Sequence, residues 1–214
     1  MRIFIVALIF TFLSCSGEVV FNQQLADELA EMAEVDQTAA WIPSGKFKEY
    51  SPEKWASYKD SVFQSNKVRA EQIFNTYGYP GFNLVGENGS NNYWLIVQHC
   101  DFDPAFQERV LIGMEEEVRK GNADKRSYAY LVDRVRVNFG EKIVYGTQVT
   151  YNRFGQAIPK NLEDSANVDA RRAEVELEPL VNYLNGMTEN HFEMNKENFL
   201  SKGRTEPMLY PSGS

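Results

Sequence analysis

Histidine is the one side chain that titrates near neutrality without help from its surroundings, and this chain has two, His99 and His191. His99 stands where the apolar run Tyr93-Trp94-Leu95-Ile96-Val97 gives way to Gln98-His99-Cys100-Asp101. A run that stops in Gln, His and Asp is what a buried element presents when it delivers polar side chains to a cavity wall. His99 is therefore the candidate proton carrier, and Asp133 or Asp36 is the carboxylate that would orient its ring. Arg134, Arg171 and Arg172 carry the forked donors that grip an anionic or carboxylate-bearing substrate. Thr147 and Gln148 follow Gly146, which allows close backbone approach, and can hydrogen-bond the same ligand. Gln98, beside the histidine, and Asn66, on an otherwise apolar helical stripe, complete the substrate-binding set. These residue types suit general acid–base catalysis by a hydrolase or transferase acting on a small polar or anionic ligand. They equally suit a core network in which His99, Asp133, Arg134 and Gln148 satisfy one another.

His99-Cys100-Asp101-Phe102-Asp103 contains metal-ligating residue types, but no second histidine lies within ligand spacing. Asp103 is accounted for as a helix cap and Cys100 as a small buried apolar group. Neither a metal nor another cofactor is expected. Cys100 is a poor candidate nucleophile beside His99, because adjacent helical side chains point apart. Nucleotide-binding glycine loops, HExxH and G-x-S-x-G elements are absent from the sequence.

The elements that must position these groups are mostly helices. Residues 18–37 show Leu25, Leu29 and Met32 at helical spacing, and Asp36 continues that stripe, where a carboxylate has to be paired, protonated or functional. Residues 38–50 have no period and read as a loop. Ser51-Pro52-Glu53 opens a second helix, with a capping serine and a first-position proline, which runs to about Tyr77. Trp55, Tyr58, Val62, Ile73, Phe74 and Tyr77 form its expected buried side, with Asn66 and Arg69 among them. Residues 78–92, rich in Gly and Asn, read as a loop leading into a short helix over 90–99. Asp103-Pro104 starts a helix ending at Gly121, and residues 127–138 form another. The period then changes: residues 142–151 alternate, 152–155 turn, and 156–159 return as the second arm of a hairpin. Asn167 or Asp169 caps a further helix, 180–187 form the last, and the chain from Thr188 is polar and aperiodic. The expected fold is mainly α: a single helical domain with one late β-hairpin, α+β in detail. Residues 15–187 are its globular part, 38–61 a loop-containing insertion within it, and 188–214 a polar C-terminal appendage.

The N-terminus is a separate matter. Met1-Arg2, an unbroken apolar run over 3–13 and Ser14-Cys15-Ser16-Gly17 have the three regions of a secretory signal, and the run is too short to span a bilayer. Phe12-Leu13-Ser14-Cys15 resembles a lipobox, which implies that residues 1–14 are removed and Cys15 is lipidated. The implied partner is a membrane, reached through the anchor at Cys15, and the implied location is the bacterial cell envelope, at its periplasmic or outer-membrane face. The chain has two cysteines, so lipidation would leave Cys100 without a disulfide partner. The formal charge of −8, made slightly more negative by loss of Arg2, argues against nucleic acid as a partner. A non-catalytic ligand-binding or envelope-assembly lipoprotein using the same polar cleft is the alternative to an enzyme.

Several motifs occur in an order that resembles one bacterial family. They are Trp94-Leu95-Ile96-Val97-Gln98-His99, Asp103-Pro104-Ala105-Phe106-Gln107, Tyr128-Ala129-Tyr130-Leu131-Val132-Asp133-Arg134-Val135, Tyr145-Gly146-Thr147-Gln148 and Asn167-Val168-Asp169-Ala170-Arg171-Arg172. Asp36-Gln37, Asn66 and Tyr77-Gly78-Tyr79-Pro80 extend the match toward the N-terminus. Together they are similar to the family catalogued as domain of unknown function 6624, over most of residues 25–185. That family often carries a basic residue shortly after its Asp-Gln pair, where this chain has Thr38-Ala39-Ala40-Trp41, and the segment between Thr38 and Ser61 is longer than usual. The resemblance implies a fold and a site, without a reaction.

Overall fold

The computed structural model describes residues 19–211. The expected signal segment and Cys15 lie outside these residues. Helix α1 spans Gln23–Ala40, with Asn22 as its cap accepting from the Leu25 amide, and α2 spans Pro52–Tyr77 behind Ser51. Helices α3, Phe82–Gln98, α4, Pro104–Arg119, and α5, Lys125–Asn138, follow in close succession. A two-stranded antiparallel hairpin, β1 Val149–Tyr151 with β2 Ala157–Pro159, comes next. Helices α6, Val168–Glu174, α7, Leu180–Met194, and α8, Lys196–Ser201, complete the chain. The mainly helical class with a late hairpin is thus what the chain adopts.

Helix α3 is the hub, packing against α1, α2, α4 and α5. Tyr93, Ile96 and Val97 of α3 are buried with Leu25 and Leu29 of α1, Ala70 and Ile73 of α2, Phe106, Val110 and Met114 of α4, and Leu131 and Val135 of α5. The region 78–92, expected as a loop, is helical from Phe82 apart from Gly86, whose φ of 72° interrupts it. Its glycines serve packing as well as turning. A Cβ on Gly89 would stand 2.8 Å from Val85 Cβ and 3.7 Å from Ala26 Cα. Gly89 therefore relieves a clash with Val85 one turn earlier in α3, just past the interruption at Gly86, while its contact with α1 is an ordinary one. Composition alone reads such a stretch as loop because crowding at a helix kink and chain flexibility call for the same residue.

Three further expectations change. Tyr77 is exposed, and Trp55 and Tyr58 are only half-buried, in an aromatic cluster with Phe47 and Tyr50. The strand expected over 142–151 shrinks to the three residues of β1, because the amides of Val144, Tyr145 and Thr147 are bound by the Asp133 carboxylate instead of a ladder. The chain beyond Thr188 is not a loose appendage. Helix α7 continues to Met194, and Tyr210 folds back, its hydroxyl donating to the Ala157 carbonyl at 2.8 Å and its amide to Asn185 Oδ1 at 2.8 Å. Among the described residues no helix is long and apolar enough to cross a membrane.

Candidate functional site

The apolar stripe of α1 runs Leu25, Leu29, Ala33, Asp36, Ala39, so the helix that buries its leucines must bury Asp36 as well. The carboxylate is wholly inaccessible and has partners on both oxygens. Asp36 Oδ2 lies 2.6 Å from His99 Nδ1 and accepts from Gln37 Nε2 at 3.3 Å, and Oδ1 accepts from Asn66 Nδ2 at 3.3 Å. An ionised carboxylate can only accept, so this contact assigns the ring proton to Nδ1 and leaves the Nε2 lone pair as a base. Among the described residues Nε2 has no hydrogen-bond partner, and the imidazole side chain is 21% accessible. Phe63 covers one side of the ring, centroid to centroid 5.1 Å. The buried carboxylate, oriented imidazole and open far nitrogen reproduce the acid–histidine half of a catalytic triad.

His99 is the residue at which α3 ends, so its direction depends on how that helix stops. Gln107, fully buried on α4, donates through Nε2 to the carbonyls of Val97 at 3.1 Å and Gln98 at 3.3 Å. The Gln98 carbonyl is one that the helix C-terminus leaves open, whereas that of Val97 also accepts from the Cys100 amide at 3.0 Å. The same nitrogen reaches Asp101 Oδ1 at 3.1 Å, and Asn138 Nδ2 donates to both Asp101 Oδ1 and Gln107 Oε1 at 2.8 Å. Arg134 Nη1 closes the network on Asp101 Oδ2 at 2.7 Å. The sequence reading does not nominate Asp101, Gln107 or Asn138 for the site. A signal for Gln107 is nevertheless there: a glutamine among Phe106, Val110 and Met114 on a buried face.

The remaining candidates divide. Asp133 is wholly buried but faces away from His99. It accepts from the amides of Val144 at 2.7 Å, Tyr145 at 3.0 Å and Thr147 at 2.8 Å, and from Thr147 Oγ1 at 2.9 Å. Neighbours on a helix diverge by about 100°, so Asp133 clamps the loop before β1 while Arg134 reaches Asp101. Thr147 is occupied by that clamp. Arg171 donates to the carbonyls of Val144 at 3.0 Å, Glu163 at 2.7 Å and Asp164 at 3.0 Å, which makes it a staple for backbone. Arg172 donates to the carbonyls of Glu178 and Tyr145, both at 2.6 Å, and stands apart from the histidine. Gln98 and Gln148 are half-buried, and no hydrogen bond engages either side-chain amide among the described residues. The core network of His99, Asp133, Arg134 and Gln148 does not form, since none of the four bonds another.

Cys100 lies in the core, where burial pushes its thiol up to about 12, so no thiolate stands beside His99 at neutral pH. His191 is engaged elsewhere, stacked on Tyr151 at 3.8 Å and bonded to Asn195. Among the described residues no three His, Cys, Asp or Glu side chains are grouped to hold a metal ion. No curated protein and no solved structure matches the chain. One family profile does, over residues 23–195, from the first residue of α1 to just past α7. That match covers the dyad, the Gln107 network and the Asp133 clamp, and the chain belongs to the family of unknown function DUF6624.

Proposed function

We propose that His99 and Asp36 form a general acid–base pair in a hydrolase or transferase of the bacterial envelope, tethered by a lipid on Cys15. The observation that carries this reading is the 2.6 Å contact from a fully buried carboxylate to an imidazole whose other nitrogen is open. In this scheme Nε2 takes the proton of the attacking water or hydroxyl and returns it to the leaving group, while Asp36 holds the tautomer and offsets the imidazolium charge. Gln37 and Asn66 keep the carboxylate in place. Arg134, Gln98 and Gln148 are the substrate contacts of the proposal, because Arg134 adjoins the end of α3 and the two amides are unengaged.

The experiment compares hydrolysis of p-nitrophenyl acetate and p-nitrophenyl phosphate by the wild type, His99→Gln and Asp36→Asn. Loss of roughly a hundredfold or more on one substrate in both variants, with unchanged folding, is the expected result. Equal rates in all three proteins on both substrates would sink the catalytic reading. A binding function is the second reading, favoured by Trp41 and Ile42, which stand 66% and 68% exposed just beyond the Asp36 end of α1. Large apolar groups held in water suit a partner or ligand surface.

A further inference from the structure

Among the described residues, two buried side-chain nitrogens or oxygens lack a hydrogen-bond partner: Arg172 Nη2 and Trp94 Nε1. Both are donors, and one aromatic wall links them. Trp94 meets the Tyr130 ring at 6.3 Å, Tyr130 meets Tyr183 at 6.1 Å, and the Arg172 guanidinium sits 5.1 Å from the Tyr183 centroid. Buried polar groups are nearly always paired, and a donor left without an acceptor costs as much as a lost hydrogen bond.

Arg172 is the sharper case because it carries a full charge. Its side chain is inaccessible, and burial lowers the guanidinium pKa without discharging a group that stays protonated in proteins. No carboxylate forms an ion pair with it among the described residues; its partners are the carbonyls of Glu178 and Tyr145 and the face of Tyr183. A buried cation without a counter-ion is strongly unfavourable unless something supplies the negative charge. Asp169 and Glu178 act on the guanidinium through space only, and Nε and Nη1 are committed, so Nη2 is the position left without an acceptor.

A cavity of about 340 Å³ borders this residue, lined by Arg126, Tyr130, Arg172, Glu176, Leu177, Glu178 and Tyr183. Its walls are two tyrosine rings and a leucine, and its cations are Arg172 and Arg126. Glu176 is paired with Lys125 at 3.2 Å and Arg126 with Asp124 at 3.4 Å, which leaves Arg172 as the cation without an ion-pair partner. One free N–H gives single-point contact, and two nearby glutamates oppose a multiply charged ligand. Flat apolar walls favour a planar body.

We propose that this cavity binds a small monocarboxylate with a planar apolar body, its carboxylate accepting from Arg172 Nη2 and its body lying against the exposed sides of the Tyr130 and Tyr183 rings. The site stands apart from the His99–Asp36 pair and does not depend on that pair being catalytic. Tyr145 ties the cavity to the Asp133 clamp: its carbonyl accepts from Arg172 and its amide donates to Asp133.

The test is calorimetric titration of the full chain with sodium benzoate, its neutral isostere benzamide and inorganic phosphate at fixed ionic strength. Benzoate is expected to bind about tenfold or more tightly than benzamide and phosphate, the factor that one charge-assisted hydrogen bond supplies. Leu177→Trp fills the cavity and leaves Arg172 in place; it should weaken benzoate at least about tenfold with an unchanged melting temperature. Arg172→Lys should weaken it as well, and Leu177→Trp keeps the test decisive if that variant folds poorly. Equal binding of benzoate and benzamide, wild-type affinity in Leu177→Trp, or no benzoate binding up to about 10 mM would each overturn the assignment.

Discussion

Asp36 and His99 are 63 residues apart in the chain and 2.6 Å apart in space, joined carboxylate oxygen to Nδ1. This contact fixes the tautomer, so Asp36→Asn is expected to change it: the amide can donate to Nδ1 and move the ring proton to Nε2. Nitrogen-15 NMR of the imidazole distinguishes the two forms. A wild-type ring protonated at Nε2 would contradict the assigned role of Asp36.

The two neighbours on α5 should differ sharply in their effect on stability. Asp133→Ala leaves three amides, that of Thr147 fully buried, and the buried Thr147 hydroxyl without their acceptor. That change should cost about 3 kcal/mol or more. Arg134→Gln breaks a pair whose Asp101 side is 48% exposed. Solvent screening keeps such a loss to no more than about 1 kcal/mol. Urea unfolding of both variants measures the contrast, and similar losses would refute it.

Stability should also fall in mild acid through His191. Burial lowers its folded pKa below the ordinary value of 6.5, so the unfolded chain binds the proton first. The contribution of the neutral ring is complete above 6.5 and is lost as pH falls through the lowered folded value. His191→Phe retains the stack on Tyr151. It should flatten the urea midpoint between about pH 7.5 and about pH 5. An unchanged slope in that variant would exclude His191 as the cause.

The C-terminal segment should be part of the folded unit. Tyr210→Phe removes the hydroxyl bonded to the Ala157 carbonyl and should cost about 1 kcal/mol. Deletion of residues 202–214 should cost more, since it also removes the backbone pairing of Tyr210 with Asn185. Thermal melts that coincide with the wild type would return this stretch to the status of a tail.

Membrane attachment is tested at Cys15. Cys15→Ala, expressed in a bacterial host with its signal intact, should leave the membrane fraction, and mass spectrometry of the wild type should show acyl chains on a new N-terminus. A wild type that fractionates in water and carries no acyl group would overturn the anchor.

Several parts of this fold are legible in the residues themselves. Ser51-Pro52 and Asp103-Pro104 start α2 and α4 where their capping chemistry says they should. The buried Val62-Asn66-Ala70-Ile73 stripe carries an amide inward, and Asp36 sits inward on α1. A helical period places side chains on faces, so an odd polar group on an apolar face announces itself in the linear chain. The helix spanning Gly86 and Gly89 is hidden there, because one residue type serves both turns and tight packing.

Local sequence can nominate Asp36 and Asp133 for His99 without choosing between them. Both are buried carboxylates on apolar stripes, and the choice depends on which way α1 and α5 face around α3. The docking of α1 across α3 brings Asp36 to the imidazole, whereas the turn from Asp133 to Arg134 along α5 aims one residue at a loop and the next at Asp101. A helix's period sets which residues share a face. Which partner that face meets is fixed by packing between elements distant in sequence, and that is where the candidate site was decided.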